Sequence, residues 1–282
     1  NRARIASAPV VGGGRLYAVG SDGAISAFDS ATGARAWVQS ADVGRDLRTV
    51  AFGGGVSYAD GRVYATNGAG EVLALDAATG AIVWRVKPAG PLRGAPTVVF
   101  GVAAPAAGQG TVIAGYSSGE LVAYRYENGR TLWSDALART NLSTSVGALT
   151  DIDADPIIDS GRVYALGQGG RMAAYELVTG QRIWELNLAG ISTPALSGDW
   201  IFTLTDDARL LAIARASGKV RWITQLARFR DEEDKDGPIT WQGPVLAGDA
   251  LWTVNSAGQV YRITPQDGAA TLFTDLKQPI SL

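Results

Sequence analysis

Three aspartates occupy alternating positions, 151, 153 and 155, at the end of a predicted loop that begins at Arg139. Carboxylates spaced in this way can converge on a calcium ion, because hard cations are bound by oxygen ligands. The EF-hand pattern is not met, since the sixth position counted from Asp151 is not Gly and the twelfth is not Glu. The alternative is a solvated turn in which the carboxylates accept hydrogen bonds from nearby backbone N–H groups.

The composition excludes several kinds of catalytic and metal site. The chain of 282 residues has no cysteine and no histidine, which rules out a zinc finger, a thiolate nucleophile and a Ser-His triad. Carboxylate bases are still present in the sequence. With that alternative open, we predict no catalytic residue, no metal site and no bound cofactor. The 25 basic and 27 acidic side chains give a net charge of −2. Without a basic cluster we expect no binding to nucleic acid, whose phosphates attract an excess of Lys and Arg.

A repeated phrase organises the sequence: a Gly that follows Thr, Asn or Ser stands four residues before a Trp. A sixth copy has Leu272 in place of the tryptophan. In five of the six copies a Gly stands fourteen residues before the Trp or Leu272. In five copies a Pro stands twenty-eight residues before it. Successive copies are 38–51 residues apart, the range of four-stranded propeller blades. The five tryptophans are Trp37, Trp84, Trp133, Trp184 and Trp222.

Each phrase is predicted to contain four short strands, with a proline at the first and glycines in the tight turns between them. One such sheet cannot bury both of its faces, so the sheets must stack around an axis. We predict an all-β fold, a single β-propeller domain of four-stranded antiparallel blades in which the five tryptophans form the core between blades. The predicted blade phrases are approximately 5–40, 50–87, 102–136, 154–187, 192–225 and 242–275, with the start of another at 277–282.

Length variation is concentrated at one end of the predicted blades. The proline that opens the next phrase stands ten residues after Trp184. The corresponding separations after Trp133 and Trp222 are twenty-three and twenty-two residues. Insertions confined to one face of a repeat fold are typical of a binding face. Asp206 and Asp207 are predicted in a turn at the same end, where they add negative potential.

The segment Arg228–Gly237 is a dense run of charges of both signs. Mixed charges of this kind are typical of a solvated loop. The alternative is a second contact with a partner.

The segments 25–37 and 72–84 resemble the pyrroloquinoline-quinone-type propeller repeat, which occurs in quinoprotein dehydrogenases and in the BamB family of periplasmic lipoproteins. The resemblance to the BamB family extends over essentially the whole chain, and the segment Leu149–Pro156 is similar to a loop of that family. It implies an eight-bladed propeller. Only six phrases are complete, so we expect a chain truncated at both ends. Residues 93–96 look like the opening of a phrase that does not continue, and two explanations stay open: Pro96 is a loop proline, or a blade is absent between Val98 and Phe100, which we favour.

The resemblance also implies a non-catalytic scaffold of the outer-membrane β-barrel assembly (BAM) machinery, lipid-anchored at the periplasmic face of the outer membrane. The implied partners are a POTRA domain of a BamA-like barrel subunit and unfolded outer-membrane protein clients. Contact with the membrane is expected only through a lipid anchor that is not present in this chain. Asp151 and Asp153, preceded by Leu149, match the contact loop of the family, and the resemblance therefore favours partner contact over a metal site or a simple turn.

A second contact segment of the family is a Leu-Arg-Gly run before a blade-opening Ala-Pro, and it has two candidate positions here. By its letters it matches Leu92 and Arg93. By its spacing from the repeat it falls on Val99, Phe100 and Gly101. In the second case Phe100 replaces the arginine, so that an Arg-dependent ion pair is not expected.

Two other functions stay open from the sequence. One is a quinoprotein dehydrogenase that uses pyrroloquinoline quinone, and the other is a propeller that binds a different protein or a polysaccharide. The chain lacks the cysteine pair and the clustered Asp, Asn and Glu that the dehydrogenase class implies. Binding is therefore favoured over catalysis.

Overall fold

The computed structural model describes Ile5 and residues 7–40, 54–66, 70–87, 103–116, 118–137 and 152–280. These residues form six four-stranded antiparallel sheets and one two-stranded ribbon, and in each sheet the strands pair in chain order. The prediction of an all-β propeller with four-stranded antiparallel blades is confirmed. Leu92, Arg93, Val99, Phe100, Gly101, Leu149 and Asp151, and the blade expected between Val98 and Phe100, lie outside the described residues.

The strands follow one another with short turns. Sheet 1 contains β1 (Val10–Gly12), β2 (Arg15–Val19), β3 (Ile25–Asp29) and β4 (Arg35–Gln39), and sheet 2 contains β5 (Val56–Ala59), β6 (Arg62–Thr66), β7 (Val72–Asp76) and β8 (Ile82–Val86). Sheet 3 contains β9 (Ala106–Gly108), β10 (Thr111–Gly115), β11 (Glu120–Arg125) and β12 (Thr131–Ala136), and sheet 4 contains β13 (Ile157–Asp159), β14 (Arg162–Gly167), β15 (Arg171–Glu176) and β16 (Arg182–Leu186).

Sheets 5 and 6 are separated by the ribbon. Sheet 5 contains β17 (Ala195–Ser197), β18 (Trp200–Leu204), β19 (Arg209–Ala214) and β20 (Val220–Gln225); the ribbon contains β21 (Phe229–Asp231) and β22 (Asp236–Pro238); sheet 6 contains β23 (Trp241–Ala247), β24 (Ala250–Asn255), β25 (Gln259–Ile263) and β26 (Ala270–Asp275). Among the described residues no helix has the length and apolar character needed to cross a bilayer.

The hydrophobic core lies between the sheets. In sheets 2 to 5 the second and third strands are buried on both faces, because each sheet is covered by a neighbour on either side. The fourth strands alternate between exposed and less exposed residues, as expected for the outer edge of a blade. The first strand of sheet 2, β5, contacts β1 and β9, and the first strand of sheet 3, β9, also contacts β13.

Each of the five tryptophans joins its own sheet to the next one. The indole N–H donates to a backbone carbonyl that follows the third strand of the next sheet, at 2.8–3.1 Å. The turn glycine of the next sheet lies against the indole, so closely that a Cβ atom there would stand 2.5–2.9 Å from it. The glycines, in chain order, are Gly80, Gly129, Gly180, Gly218 and Gly268. By contrast, no described atom outside the adjoining residues lies within 4 Å of the Cβ position of Gly33, in the corresponding turn of sheet 1.

Sheet 6 departs from this pattern. In the first five sheets the tryptophan pairs with an alanine of the third strand, but in sheet 6 the corresponding residue is Arg262. The irregularity between β25 and β26 falls at Val260/Tyr261, so that Leu272 pairs with Tyr261. Phe273 packs on Trp252 instead, with ring centroids 4.9 Å apart. Leu272, which keeps the sequence position of the tryptophans, therefore pairs with Tyr261 rather than with Arg262.

Candidate partner-binding face

The connections between sheets leave from one end of the propeller. In sheets 3, 5 and 6 the first residue after the fourth strand donates its N–H to the turn between the second and third strands: Leu137 to Gly119, Leu226 to Ala208 and Leu276 to Gly258, at 2.8–2.9 Å. We call this the connection end. It carries the turns between second and third strands, and the opposite end carries the other turns of each sheet.

Asp153 and Asp155 lie where the chain enters sheet 4 at the connection end. The residues that alternate with them, Ile152 and Ala154, are fully buried. Ile152 packs against Gly115 of sheet 3, where a Cβ atom would stand 2.5 Å from its side chain. This alternation directs the two aspartates to the other side of the segment, where both line a central cavity.

Asp155 connects three sheets. Its carboxylate accepts a hydrogen bond from the N–H of Ala104 at 2.6 Å, and its own N–H donates to Thr193 Oγ1 at 3.0 Å. Burial raises the pKa of Asp155, and the hydrogen bonds from Ala104 and Thr193 oppose that effect in part. The Asp155 carboxylate therefore holds the backbone of a segment that is distant in the sequence.

The central cavity has a volume of about 870 Å³ and is lined by residues that begin the first strands of the six sheets or lead into them. Its polar side chains are Ser7, Asp153, Asp155, Ser192, Thr193 and Gln242. Pyrroloquinoline quinone carries three carboxylates. The described lining has the carboxylates of Asp153 and Asp155 and contains no Lys or Arg that could pair with the quinone. The described residues also contain no group of three metal-ligating side chains. The lining therefore does not fit a quinone held with calcium.

Asp206 and Asp207 lie in the turn between β18 and β19, at the connection end. The N–H of Asp206 donates to Ala189 O at 3.0 Å, which joins this turn to the connection between sheets 4 and 5. The Asp207 carboxylate is bound by Thr205 Oγ1 at 2.5 Å and by Arg209 Nε at 2.8 Å. Partial burial raises the pKa of Asp207, but these hydrogen bonds outweigh it and lower the pKa overall.

The charged segment Arg228–Gly237 forms most of the β21–β22 ribbon rather than an irregular loop. The Asp231 carboxylate accepts hydrogen bonds from the N–H groups of Glu233 and Asp234, each at 3.0 Å, and so shapes the turn of the ribbon. Residues 230–236 are exposed. Side-chain acceptors that satisfy turn N–H groups explain why a polar segment has this defined shape.

The five phased tryptophans lie between sheets, and none of them lines the central cavity. They are Trp37, Trp84, Trp133, Trp184 and Trp222.

Sequence reasoning missed three arginines that lie beside these tryptophans. Arg15, Arg62 and Arg162 donate to the same carbonyl oxygen as the tryptophan of their own sheet, at 2.5–3.1 Å. Each stands twenty-two residues before that tryptophan. This fixed spacing is the signal that identifies them.

Comparison with known proteins gives a consistent family. The family model described as outer membrane protein assembly factor BamB matches residues 2–51, 40–104 and 98–224. The BamB proteins of Salmonella typhimurium and of Escherichia coli K12 are each 27% identical to the chain over 168 residues. That alignment covers 60% of the chain and 41% of each relative. The chain thus spans about two fifths of the length of these relatives.

Solved structures support the same fold. A BamB structure from Moraxella catarrhalis superposes with a TM-score of 0.71 at 19% identity, covering 98% of the chain and 75% of that protein. Quinohemoprotein alcohol dehydrogenase from Comamonas testosteroni superposes with a TM-score of 0.67 at 18% identity, covering 92% of the chain and 51% of that protein. Identities this low establish a shared propeller fold and carry no information about the reaction.

Proposed function

Because the chain belongs to the family of outer membrane protein assembly factor BamB, we propose that it is a non-catalytic scaffold subunit of the machinery that assembles β-barrel proteins into the outer membrane. In this role it binds the POTRA region of a BamA-like barrel subunit and assists the insertion of unfolded outer-membrane proteins. The corresponding location is the periplasmic face of the outer membrane, with a lipid anchor supplied by the full-length protein.

The observation that carries this proposal is the grouping of acidic groups at the connection end. Asp153 lines the central cavity at the entry to sheet 4, and Asp206 and Asp207 occupy a turn at the same end. The β21–β22 ribbon leaves from the same end, after Leu226. A rigid scaffold that presents its longest connections on one face is typical of protein recognition by repeat folds. The acidic groups favour a partner surface with basic residues.

The chemistry of the cavity supports a scaffold over a quinoprotein dehydrogenase. A bound quinone needs cations opposite its carboxylates, and the described lining supplies Asp153 and Asp155 instead. The absence of His and Cys from the sequence removes two common kinds of catalytic group. We accordingly propose that the central cavity has no catalytic role.

Charge reversal at Asp153 tests the proposed face. We expect Asp153→Arg to weaken binding to a purified POTRA fragment of the BamA-like subunit by about tenfold or more, because like charges brought together at an interface cost several kcal/mol. The matched control is Glu127→Arg, an exposed position in the turn between β11 and β12 at the opposite end. A pull-down with all three proteins, checked for folding by far-UV circular dichroism, measures the effect. Equal retention of Asp153→Arg and the wild type would contradict the proposed face.

Addition of pyrroloquinoline quinone and Ca²⁺ separates the scaffold from the dehydrogenase. We expect no retained quinone absorbance after gel filtration, because the acidic lining repels the carboxylates of the quinone. A known quinoprotein dehydrogenase treated in parallel is the positive control. A chromophore that stays bound in stoichiometric amount would overturn the scaffold proposal.

A further inference from the structure

A small pocket lies between sheets 5 and 6 at the connection end. Most of the residues that line it do not line the central cavity. Its volume is about 170 Å³. Pockets for whole small-molecule ligands have volumes of about 300–1,000 Å³. The space is therefore suited to a single side chain of a partner rather than to a complete cofactor.

Five of the nine described residues that line the pocket are apolar. Leu204 and Ala208 are nearly fully buried, and Ile191 and Ile239 complete the apolar lining. The Trp241 side chain is held by an indole N–H bond to Ala227 O at 2.6 Å and by an edge-on contact with Tyr261. Such walls suit the methylene stem of a long side chain, which gains by leaving water.

The polar groups around the pocket differ in how far they are already satisfied. Ser192 donates to Gln242 Oε1 at 3.2 Å, and the Thr205 hydroxyl is engaged by Asp207 and by backbone of Arg209. Asp206 stands exposed at the rim, and within the described part of the chain its carboxylate has no hydrogen-bond or ion-pair partner. It is thus the charged group available to a ligand.

The electrostatic surroundings make this rim negative. Desolvation, and secondarily the charge of Asp207, raise the pKa of Asp206. The cation of this turn, Arg209, is paired with Asp207 at 2.8 Å. A cation that reached Asp206 would relieve the repulsion between the two carboxylates.

We propose that this pocket binds one basic side chain, lysine or arginine, of a partner polypeptide. The stem packs between Ile191, Ile239 and Trp241, and the ammonium or guanidinium group pairs with Asp206. The identification of the donor as a protein at this face rests on the proposed function, whereas the preference of the pocket for a cation with an aliphatic stem does not.

The pocket is tested with a small probe, so that its outcome is independent of POTRA binding. N-acetyl-arginine amide is titrated into the ¹⁵N-labelled protein, and the indole N–H signal of Trp241, assigned through Trp241→Phe, is followed by NMR. We expect a saturable shift, and a response at least about fivefold weaker with the neutral isostere N-acetyl-citrulline amide. Asp206→Asn is expected to reduce the arginine response to that of citrulline, while Glu127→Gln leaves it unchanged.

Three results would overturn the inference: no saturable shift of the Trp241 signal, equal responses to arginine and citrulline amides, or an unchanged arginine response in Asp206→Asn. Arginine selectivity that depends on Asp206, found together with failure to bind a POTRA fragment, would support the pocket and contradict the proposed function. Binding of the POTRA fragment by a protein whose pocket does not bind the arginine amide would support the proposed function and contradict the pocket inference.

Discussion

Replacing Trp133 with alanine is expected to lower the free energy of unfolding by about 3–5 kcal/mol. The indole N–H bonds to Leu177 O at 2.9 Å, and the ring stacks on Tyr175 with centroids 5.6 Å apart. The substitution removes this bond and opens a cavity between sheets 3 and 4, which the rigid strands cannot close. Urea denaturation followed by far-UV circular dichroism measures the change without relying on tryptophan fluorescence.

The matched control is Leu272→Ala, at the corresponding position of the repeat in sheet 6. Leu272 is 50% exposed, so its truncation is expected to cost less than about 1 kcal/mol. Equal destabilisation by Trp133→Ala and Leu272→Ala would mean that the phased tryptophans do not hold neighbouring sheets together.

Substitution of Gly180 by alanine is expected to be about 1–3 kcal/mol more destabilising than the same change at Gly33. The two glycines have nearly the same backbone conformation, with φ of +72° and +71°. Each variant therefore carries a similar strain from a left-handed residue, of about 1–2 kcal/mol. Only at Gly180 does the new methyl group meet an indole, since its Cβ would lie 2.5 Å from Trp133.

A double-mutant cycle isolates the contact. In a Trp133→Ala background most of the extra cost of Gly180→Ala should disappear, because the ring atoms 2.5–2.6 Å from the new methyl group are removed, while the Cβ of residue 133 stays 3.0 Å from it. Denaturation midpoints of the four proteins measure the coupling. Equal costs for Gly180→Ala with and without Trp133 would refute a direct contact between the indole and the turn.

Much of the fold could be predicted because the repeat combines local signals. The glycines mark turns that require positive φ, and the alternating apolar residues between them mark strands. The departure in sheet 6 was not predicted from spacing alone. Leu272 keeps the position of the tryptophan in the sequence, but it pairs with Tyr261 instead of the residue ten positions earlier, Arg262.

The candidate site was less accessible to sequence reasoning, because its contacts join distant segments. Asp155 is one member of an aspartate series in the sequence, yet its partners Ala104 and Thr193 lie in the segments that lead into two other sheets. Asp206 and Asp207 are neighbours with the same charge, and only the structure separates them: Arg209 and Thr205 bind Asp207, while Asp206 faces the pocket.

The most direct test of the account is an isothermal titration of the intact chain with a purified POTRA fragment of the BamA-like subunit. A scaffold that binds through its connection end should show saturable one-to-one binding with a dissociation constant in the range of about 1 μM or tighter. If the proposed face is the interface, the interaction should weaken as salt is raised, because it would pair acidic groups of the chain with basic groups of the partner. Absence of saturable binding, with both proteins folded, would contradict the central claim.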